Sequence, residues 1–243
     1  MVKIWVLNMK NNIVAITPFR NKNKIFKTML QNMDIVPDMW IIYNDFDKQH
    51  QYIINNGDVL GPNETIIKRI AHNYNILQNI IPKENVKYVY IQEDDIILEN
   101  NVLSQLMRSF NINPMVDGVG ICVKCRRSNT PMIWNINNKH KILKQYTRKE
   151  HLMGDYKIDV VSFNSVLLKP ALIHEIQIKA YDESKHTLDI AFFKECFYKG
   201  YNIICDLLIP SIHNEDKYLH KGRYIGLSNK QAIEKIKMDK FKE

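Results

Sequence analysis

Three consecutive acidic residues, Glu93, Asp94 and Asp95, are the part of this sequence best suited to chemistry. Adjacent carboxylates repel one another, so a folded chain that keeps them together needs an opposing charge. Mg²⁺ and Mn²⁺ prefer oxygen ligands, and Mg²⁺ usually takes one or two carboxylates with phosphates and water. The run therefore predicts a divalent-cation site. On these residues alone, a solvated turn with an Asp at a helix N-cap explains the run equally well.

Other polar residues follow two further apolar runs. Asn44 and Asp45 follow one of them, and His213 follows another. An imidazole supplies a further ligand to a borderline cation such as Mn²⁺, although a lone histidine is more often only hydrogen-bonded. Combined with the carboxylates, His213 favours the metal site over the solvated turn.

Asp189 is the candidate general base. It lies in the first turn of a predicted helix, behind Thr187. The helix dipole favours an acidic residue at such a position. A carboxylate at the edge of a ligand crevice is also suited to take a proton. Position alone leaves the two explanations even.

The elements that must position these residues alternate between apolar strands and amphipathic helices. Strands are predicted at Ile13–Thr17, Met39–Tyr43, Lys87–Gln92, Val119–Val123, Ile158–Lys169 and Asn202–Ile209. Helices are predicted at Lys24–Met33, Asn63–Ile81, Val102–Phe110 and Leu188–Lys199. The order predicts an α/β fold, a mostly parallel twisted sheet flanked by helices. Ligands of such sheets bind at the carboxyl ends of the strands.

Two segments stand apart from this alternation. The polar stretch Arg126–Tyr156 fits no element and is predicted to be a functional loop or disordered. A basic tail at 217–243 follows the domain predicted at 1–216. Lys221 and Arg223 of this tail are candidates to close over a diphosphate, although a disordered tail is somewhat favoured. Trp134 and Tyr146 are candidates to stack on an acceptor, and ordinary packing is the better explanation for either.

Length and composition limit the number of domains, the presence of membrane spans and the compartment that can be expected for the protein. The chain has 243 residues, of which 45% are hydrophobic, a length that suits one domain with a full core. No apolar run reaches the roughly 18 residues that span a bilayer, and Met1–Asn8 lacks the zones of a signal peptide. A soluble cytoplasmic protein is expected. The cysteines, Cys122, Cys125, Cys196 and Cys205, are expected to be reduced structural thiols, because a zinc ribbon needs a second Cys-x-x-C.

The net charge is +8, which indicates an anionic partner such as nucleic acid, an acidic membrane surface or a diphosphate donor. A solvated basic helix face explains the charge about equally well.

Several short motifs, taken in order, resemble those of family 2-type glycosyltransferases with the GT-A fold, a nucleotide-diphospho-sugar transferase superfamily. The resemblance runs from residue 13 to residue 215. The motifs that carry it are Ile13–Asn21, Ile41–Asp45, Ala71–Asn73, Tyr90–Asp95, Asp189–Tyr201 and Ile209–His213. Each is weak alone, and their order and spacing give the resemblance its specificity.

The resemblance implies a Rossmann-like nucleotide-sugar-binding fold and an inverting transfer to an acceptor hydroxyl. The residues it assigns to the donor are Pro18, Phe19, Arg20, Asn44, Asp45, Asn73, Glu93 and Asp94. The residues it assigns to Mn²⁺ or Mg²⁺ in a D-x-D-type site are Asp95, Glu93 and His213. Asp189 is its catalytic base.

The sequence departs from the family pattern at four positions. These are Phe46 for a Gly, His72 for an Arg, Glu93 for the first Asp of the D-x-D motif, and Leu188 for the Glu before the base. The last departure leaves Asp182 and Glu183 open as alternative bases.

The predicted function is a metal-dependent hexosyltransferase using a nucleotide-diphosphate sugar. Its acceptor is left open between a glycan, a protein and a modified nucleic acid, the last being a DNA-modifying variant of the enzyme. A nucleotidyltransferase ranks lower, because Pro18–Lys22 lacks the Gly-rich loop that cradles a triphosphate. A non-catalytic nucleic-acid-binding protein fits the charge of +8, but it would not place Glu93–Asp95 at a strand end without a metal.

Overall fold

The fold is known from a computed structural model of the chain. The residues it describes are 2–6, 12–19, 33–35, 37–44, 52–54, 58–60, 66–93, 96–98, 101–123, 132–137, 142–145, 155–180, 188–209 and 211–213.

Strands and helices share the described chain. The strands are β1 (Val2–Val6), β2 (Ile13–Phe19), β3 (Met39–Asn44), β4 (Tyr52–Ile54), β5 (Asp58–Leu60), β6 (Tyr88–Gln92), β7 (Ile96–Leu98), β8 (Gly118–Ile121), β9 (Ile133–Asn137), β10 (Ile142–Gln145), β11 (Asp155–Ile158), β12 (Val160–Val161), β13 (Ser165–Leu168), β14 (Ile203–Asp206) and β15 (Ser211–His213). The helices are α1 (Ile66–Ile80), α2 (Val102–Ile112), α3 (Pro170–Glu175) and α4 (Leu188–Tyr198).

The main sheet of the described chain has eight strands and is mixed. Its order is β1, β3, β2, β6, β13, β8, β14, β11. Strands β3, β2, β6, β8 and β14 run in one direction, and β1, β13 and β11 run in the other. The α/β class is confirmed, while the sheet is mixed rather than clearly parallel. The antiparallel strand β13 lies between β6 and β8, so its amino end meets the carboxyl ends of both neighbours.

Each face of this sheet is covered by helices. Strand residues alternate between faces, as the pleat requires. One cluster of buried residues joins Ile16, Ile91 and Val166 to residues of α1, α3 and α4. The other joins Ala15, Tyr90 and Leu167 to residues of α2. The residues of β2, β6 and β13 therefore divide between two cores according to their parity.

Several predicted elements are found where the sequence suggested. Helices α1, α2 and α4 and strands β2, β3, β6, β8 and β14 fall within or within two residues of their predicted ranges. Gly200 ends α4 with φ of +84°. Its N–H donates to Phe197 O at 3.0 Å, and the Tyr201 N–H donates to Cys196 O at 3.0 Å. This is the Schellman arrangement that a glycine at the C′ position favours.

Other segments differ from the predictions. The stretch Ile158–Lys169 is not one strand: it contains the last residue of β11, then β12 and β13, with a turn at Ser162–Asn164 between the last two. The polar stretch Arg126–Tyr156 contains the antiparallel pair β9 and β10 and the start of β11. The helix predicted at Lys24–Met33 lies almost wholly outside the described residues. Among the residues that are described, no helix is long and apolar enough to cross a membrane.

Candidate functional site

The carboxyl ends of β2, β3 and β6 meet at one edge of the sheet. Phe19 is the partner of Asn44 in the parallel pairing of β2 with β3. On the other side of β2, Ile16 is the partner of Ile91, which puts buried Pro18 level with Glu93 two residues further along. The structure thus brings the ends that carry Pro18, Phe19, Asn44 and Glu93 side by side, as expected for parallel strands.

Glu93 is held by the turn that precedes the antiparallel strand β13. Its carboxylate Oε2 accepts a hydrogen bond from Asn164 Nδ2 at 2.6 Å, and its N–H donates to Asn164 O at 3.1 Å. The Ser162 hydroxyl donates to Asn164 Oδ1. Glu93 is half-buried, whereas Ser162 and Asn164 are 1% and 3% exposed. The carboxylate at the head of the acidic run therefore has a fixed partner in the turn before a neighbouring strand.

His213 reaches the same region through a small second sheet. Strand β15 pairs antiparallel with β7, and His213 is the partner of Ile96, the residue that follows Asp95. Opposite residues in an antiparallel pair have Cα atoms about 4.5–5.5 Å apart. The main chain of His213 is therefore a neighbour of the residue after the acidic run.

Asn73 faces the buried side of α1. It is 3% exposed, and its Oδ1 accepts no hydrogen bond from any residue that the structure describes. The adjacent Tyr74 packs its ring on Phe163, with centroids 5.1 Å apart. An unsatisfied buried amide oxygen is costly, so a donor from a ligand or from another part of the chain is expected there.

Asp189 lies in the first turn of α4 and is half-buried. Its Oδ1 accepts the N–H of Ile190 at 2.9 Å. Phe192 and Phe193, three and four residues further along the helix, pack on Phe163 with centroids 5.2 and 5.5 Å away. Because residues at these spacings share a helix face, Asp189 is on the side of α4 that faces the turn at Ser162–Asn164.

Polar side chains also link β6 to β13 on the opposite face of the sheet. The Tyr90 hydroxyl donates to Gln92 Oε1 at 2.5 Å and lies 2.9 Å from Ser165 Oγ. Burial raises the pKa of Tyr90 well above its usual range. The phenol therefore stays protonated and acts as a fixed hydrogen-bonding group that stiffens the end of β6.

Several predicted site residues lie outside the described part of the chain. They are Arg20, Asp45, Asp94, Asp95, Asp182, Glu183, Lys221 and Arg223. Among the described residues, no three His, Cys, Asp or Glu side chains lie close enough together to hold a metal ion. Since two members of the acidic run are not among them, the metal site stays a prediction.

Comparison with known proteins identifies a shared fold. The crystal structure of A197 from STIV superposes with a TM-score of 0.50 and 12% sequence identity. The match covers 84% of this chain and 86% of A197. No protein-family model matches this chain, and no curated protein matches it in sequence. At this identity the likeness concerns the arrangement of strands and helices.

The remaining candidates have structural explanations where they are described. Cys196 and Cys205 are buried in the core shared with α4, and Cys122 is half-buried. Burial raises the pKa of the Cys196 thiol far above its usual range. Trp134 packs against the same core, whereas Cys125 and Tyr146 lie outside the described residues. These contacts agree with the packing roles expected for the described residues.

Sequence reasoning missed Asn164. The available signal was the group of polar residues Ser162, Asn164 and Ser165 inside an otherwise apolar segment. Buried polar side chains need hydrogen-bond partners, so such an interruption indicates either a turn or a polar contact. Here it is both, and the contact is with Glu93.

Proposed function

We propose that this chain is a metal-dependent glycosyltransferase of the family 2, GT-A type. It would transfer a sugar from a nucleotide-diphosphate donor to an acceptor hydroxyl with inversion. The observation that carries the proposal is the pairing of β15 with β7, in which His213 is the partner of the residue after Asp95. A histidine brought beside an acidic run at the carboxyl edge of an α/β sheet suits a cation-assisted donor site.

The chemistry of the donor set fits a divalent cation. Carboxylates from Glu93 and Asp95 and an imidazole from His213 would hold Mn²⁺ or Mg²⁺. When bound, such an ion neutralises the charge that develops on the departing diphosphate. Asn73 supports the donor assignment, because its buried Oδ1 has no donor within the described residues. A ribose hydroxyl or a base N–H would satisfy it, with Asp45 as the second proposed contact.

Asp189 is proposed to take the proton of the acceptor hydroxyl. The freed oxygen attacks the anomeric carbon from the side opposite the diphosphate. The new bond forms as the bond between that carbon and the diphosphate oxygen breaks, and the electron pair leaves with the nucleoside diphosphate. The half-buried position of Asp189 at the start of α4 agrees with a role at the edge of the site.

The test is a thermal-unfolding and turnover screen with nucleoside diphosphates and nucleotide sugars in Mn²⁺, Mg²⁺ or EDTA. One nucleotide should stabilise the protein only with metal, by about 2.7 kcal/mol at a ligand concentration of 100 times Kd. Asp95→Asn should abolish this response, while Glu84→Gln, an exposed carboxylate before β6, should retain it. A screen in which no nucleotide gives a metal-dependent response overturns the proposal.

A further inference from the structure

Asn164 contacts Glu93 through both its main chain and its side chain. The Glu93 N–H donates to Asn164 O at 3.1 Å, and Asn164 Nδ2 donates to Glu93 Oε2 at 2.6 Å. The first bond fixes the height of Glu93 relative to β13. The second fixes the rotation of its carboxylate, which a free glutamate side chain would leave open. Both constraints come from a residue that the donor-site assignment does not include.

Ser162 determines which way the Asn164 amide faces. A carboxylate only accepts hydrogen bonds, so Glu93 requires the NH₂ side of the amide. The Asn164 Oδ1 then accepts from the Ser162 hydroxyl. Because both side chains are at least nine-tenths buried, a reversed amide would leave polar atoms unpaired, which is costly. The two hydrogen bonds that run from Ser162 through Asn164 to Glu93 therefore have one favoured donor-to-acceptor direction.

Phe163 packs the turn that carries these two hydrogen bonds against two helices. It is 2% exposed, and its ring packs on Tyr74 of α1 and on Phe192 and Phe193 of α4. The turn is thereby fixed to the two helices that carry Asn73 and Asp189. Asn164 is consequently held on a rigid base and does not have to be ordered by a ligand.

We propose that Asn164 is a positioning residue that orients the Glu93 carboxylate toward the cation and diphosphate of the donor. This inference rests on the proposed function. Hydrogen-bond partners of metal-binding side chains typically contribute ~10–100-fold in metal affinity, because they hold the ligand in its binding orientation. Asn164 acts through Glu93 and has no contact of its own with the donor.

The experiment measures Mn²⁺ binding by the full chain from the electron paramagnetic resonance signal of free Mn²⁺, compared with a protein-free solution holding the same Mn²⁺ and inorganic pyrophosphate, because pyrophosphate itself binds Mn²⁺. Asn164→Ala should weaken Mn²⁺ binding by ~10–100-fold, and Ser162→Ala should weaken it by a smaller factor. Asn113→Ala is the matched control, because it removes an amide that bonds to Ser109 O at the end of α2. Its Mn²⁺ affinity should equal that of the wild type.

A reversed pair separates the contribution of the hydrogen bond to the fold from the contribution of the Glu93 carboxylate to cation binding. In Asn164→Asp alone, two carboxylates face each other, so the melting temperature and Mn²⁺ affinity should both fall. Adding Glu93→Gln restores a hydrogen bond with donor and acceptor exchanged. The melting temperature should then recover while the Mn²⁺ affinity stays low. Recovery of both together would show that the cation does not need the Glu93 carboxylate that Asn164 is proposed to position, and it overturns the inference.

The wild-type result separates the two proposals. If the wild type binds Mn²⁺ with pyrophosphate and folded Asn164→Ala binds it equally well, the positioning role is wrong and the proposed function stands. If the wild type binds no Mn²⁺ with pyrophosphate, both are wrong. If Asn164→Ala does not fold, Ser162→Ala, which keeps both Glu93 and Asn164, gives the same decision.

Discussion

The buried side-chain oxygen of Asn73 costs stability in the unliganded protein. Its side chain is buried, and no described residue donates a hydrogen bond to its Oδ1. A residue selected for stability alone would not keep such an atom, since an apolar side chain of similar size avoids the desolvation cost. The amide therefore needs a donor from outside the described residues, and the proposed function supplies one from a bound nucleotide.

Asn73→Leu is expected to leave the unliganded protein at least as stable as the wild type. The substitution removes an unpaired acceptor and breaks no described hydrogen bond to it. Binding of the nucleoside diphosphate should weaken, because the amide contact is lost. Thermal unfolding with and without the nucleotides measures both effects. A lower melting temperature with an unchanged nucleotide response would contradict this role.

Asp189→Asn should retain nucleotide-induced stabilisation and lose ~10²–10⁴-fold in turnover, the usual contribution of a general base. Steady-state kinetics and thermal unfolding measure the two properties separately. Glu195→Gln is the control on the same helix, because Glu195 makes a partly exposed ion pair with Lys179 at 3.7 Å. Normal turnover in Asp189→Asn would shift the role of base to Asp182 or Glu183.

At the residue scale, the sequence revealed the groups whose chemistry is uncommon and hid those whose role depends on a partner. Glu93 and His213 stand out because carboxylates and imidazoles are side chains that bind divalent cations. Asn164 does not, because an asparagine in a turn is ordinary. Its partner is 71 positions away, and no local periodicity contains that information.

At the element scale, predictions were correct where local physics decides the structure. Helix α4 ends before Gly200 because only glycine enters its left-handed conformation without a steric cost. The hairpin of β9 and β10 was missed because its strands are short and mix apolar with polar residues without a regular alternation, so neither shows a clear apolar face. The antiparallel hydrogen bonds between β9 and β10 stabilise these strands, and a sequence pattern within either strand does not show them.

The end of α3 and the start of β14 are joined by an acid–phenol contact with a defined pH dependence. The Tyr201 hydroxyl donates to Glu175 Oε2 at 2.6 Å, and this bond, more than burial, raises the pKa of Tyr201 to about 12. A phenol that ionises less readily when folded stabilises the fold fully below the unfolded pKa near 10.0. That contribution is lost as pH rises through about 12.

Tyr201→Phe should therefore be less stable than the wild type at neutral pH, and the difference should shrink from pH 10 to pH 12. Urea unfolding of both proteins across this range measures it. Tyr198→Phe, which alters an exposed tyrosine in the preceding turn, is the control. A difference between wild type and Tyr201→Phe that does not vary with pH would show that the hydrogen bond contributes nothing.

At the scale of the whole molecule, one ring joins the parts that carry the candidate site. Phe163 contacts α1 and α4 and lies in the turn between β12 and β13. Aromatic pairs at these distances are favourable beyond the area they bury. This aromatic cluster therefore contributes to the relative positions of Asn73, Glu93 and Asp189, together with the rest of the shared core.

Phe163→Ala should lower the free energy of unfolding by ~3–5 kcal/mol, as expected for a buried phenylalanine. Met115→Ala, at a side chain that is 80% exposed, should change it by no more than ~0.5 kcal/mol. Denaturant unfolding measures both. A cost for Phe163→Ala below ~1 kcal/mol would mean that the cluster repacks without it.

The antiparallel strand β13 comes much later in the sequence than its neighbour β6, and this separation affects folding during synthesis. The edge that carries Glu93 is complete only when Asn164, 71 residues later, has joined it. At ~5–20 residues per second, a ribosome needs roughly 4–14 s to make that interval. Until then, β6 is paired with β2 on one side and has no β13 to pair with on the other. Unpaired strand edges promote aggregation. The same inserted strand that completes the site therefore sets a waiting time during which the nascent chain is most exposed to misassembly.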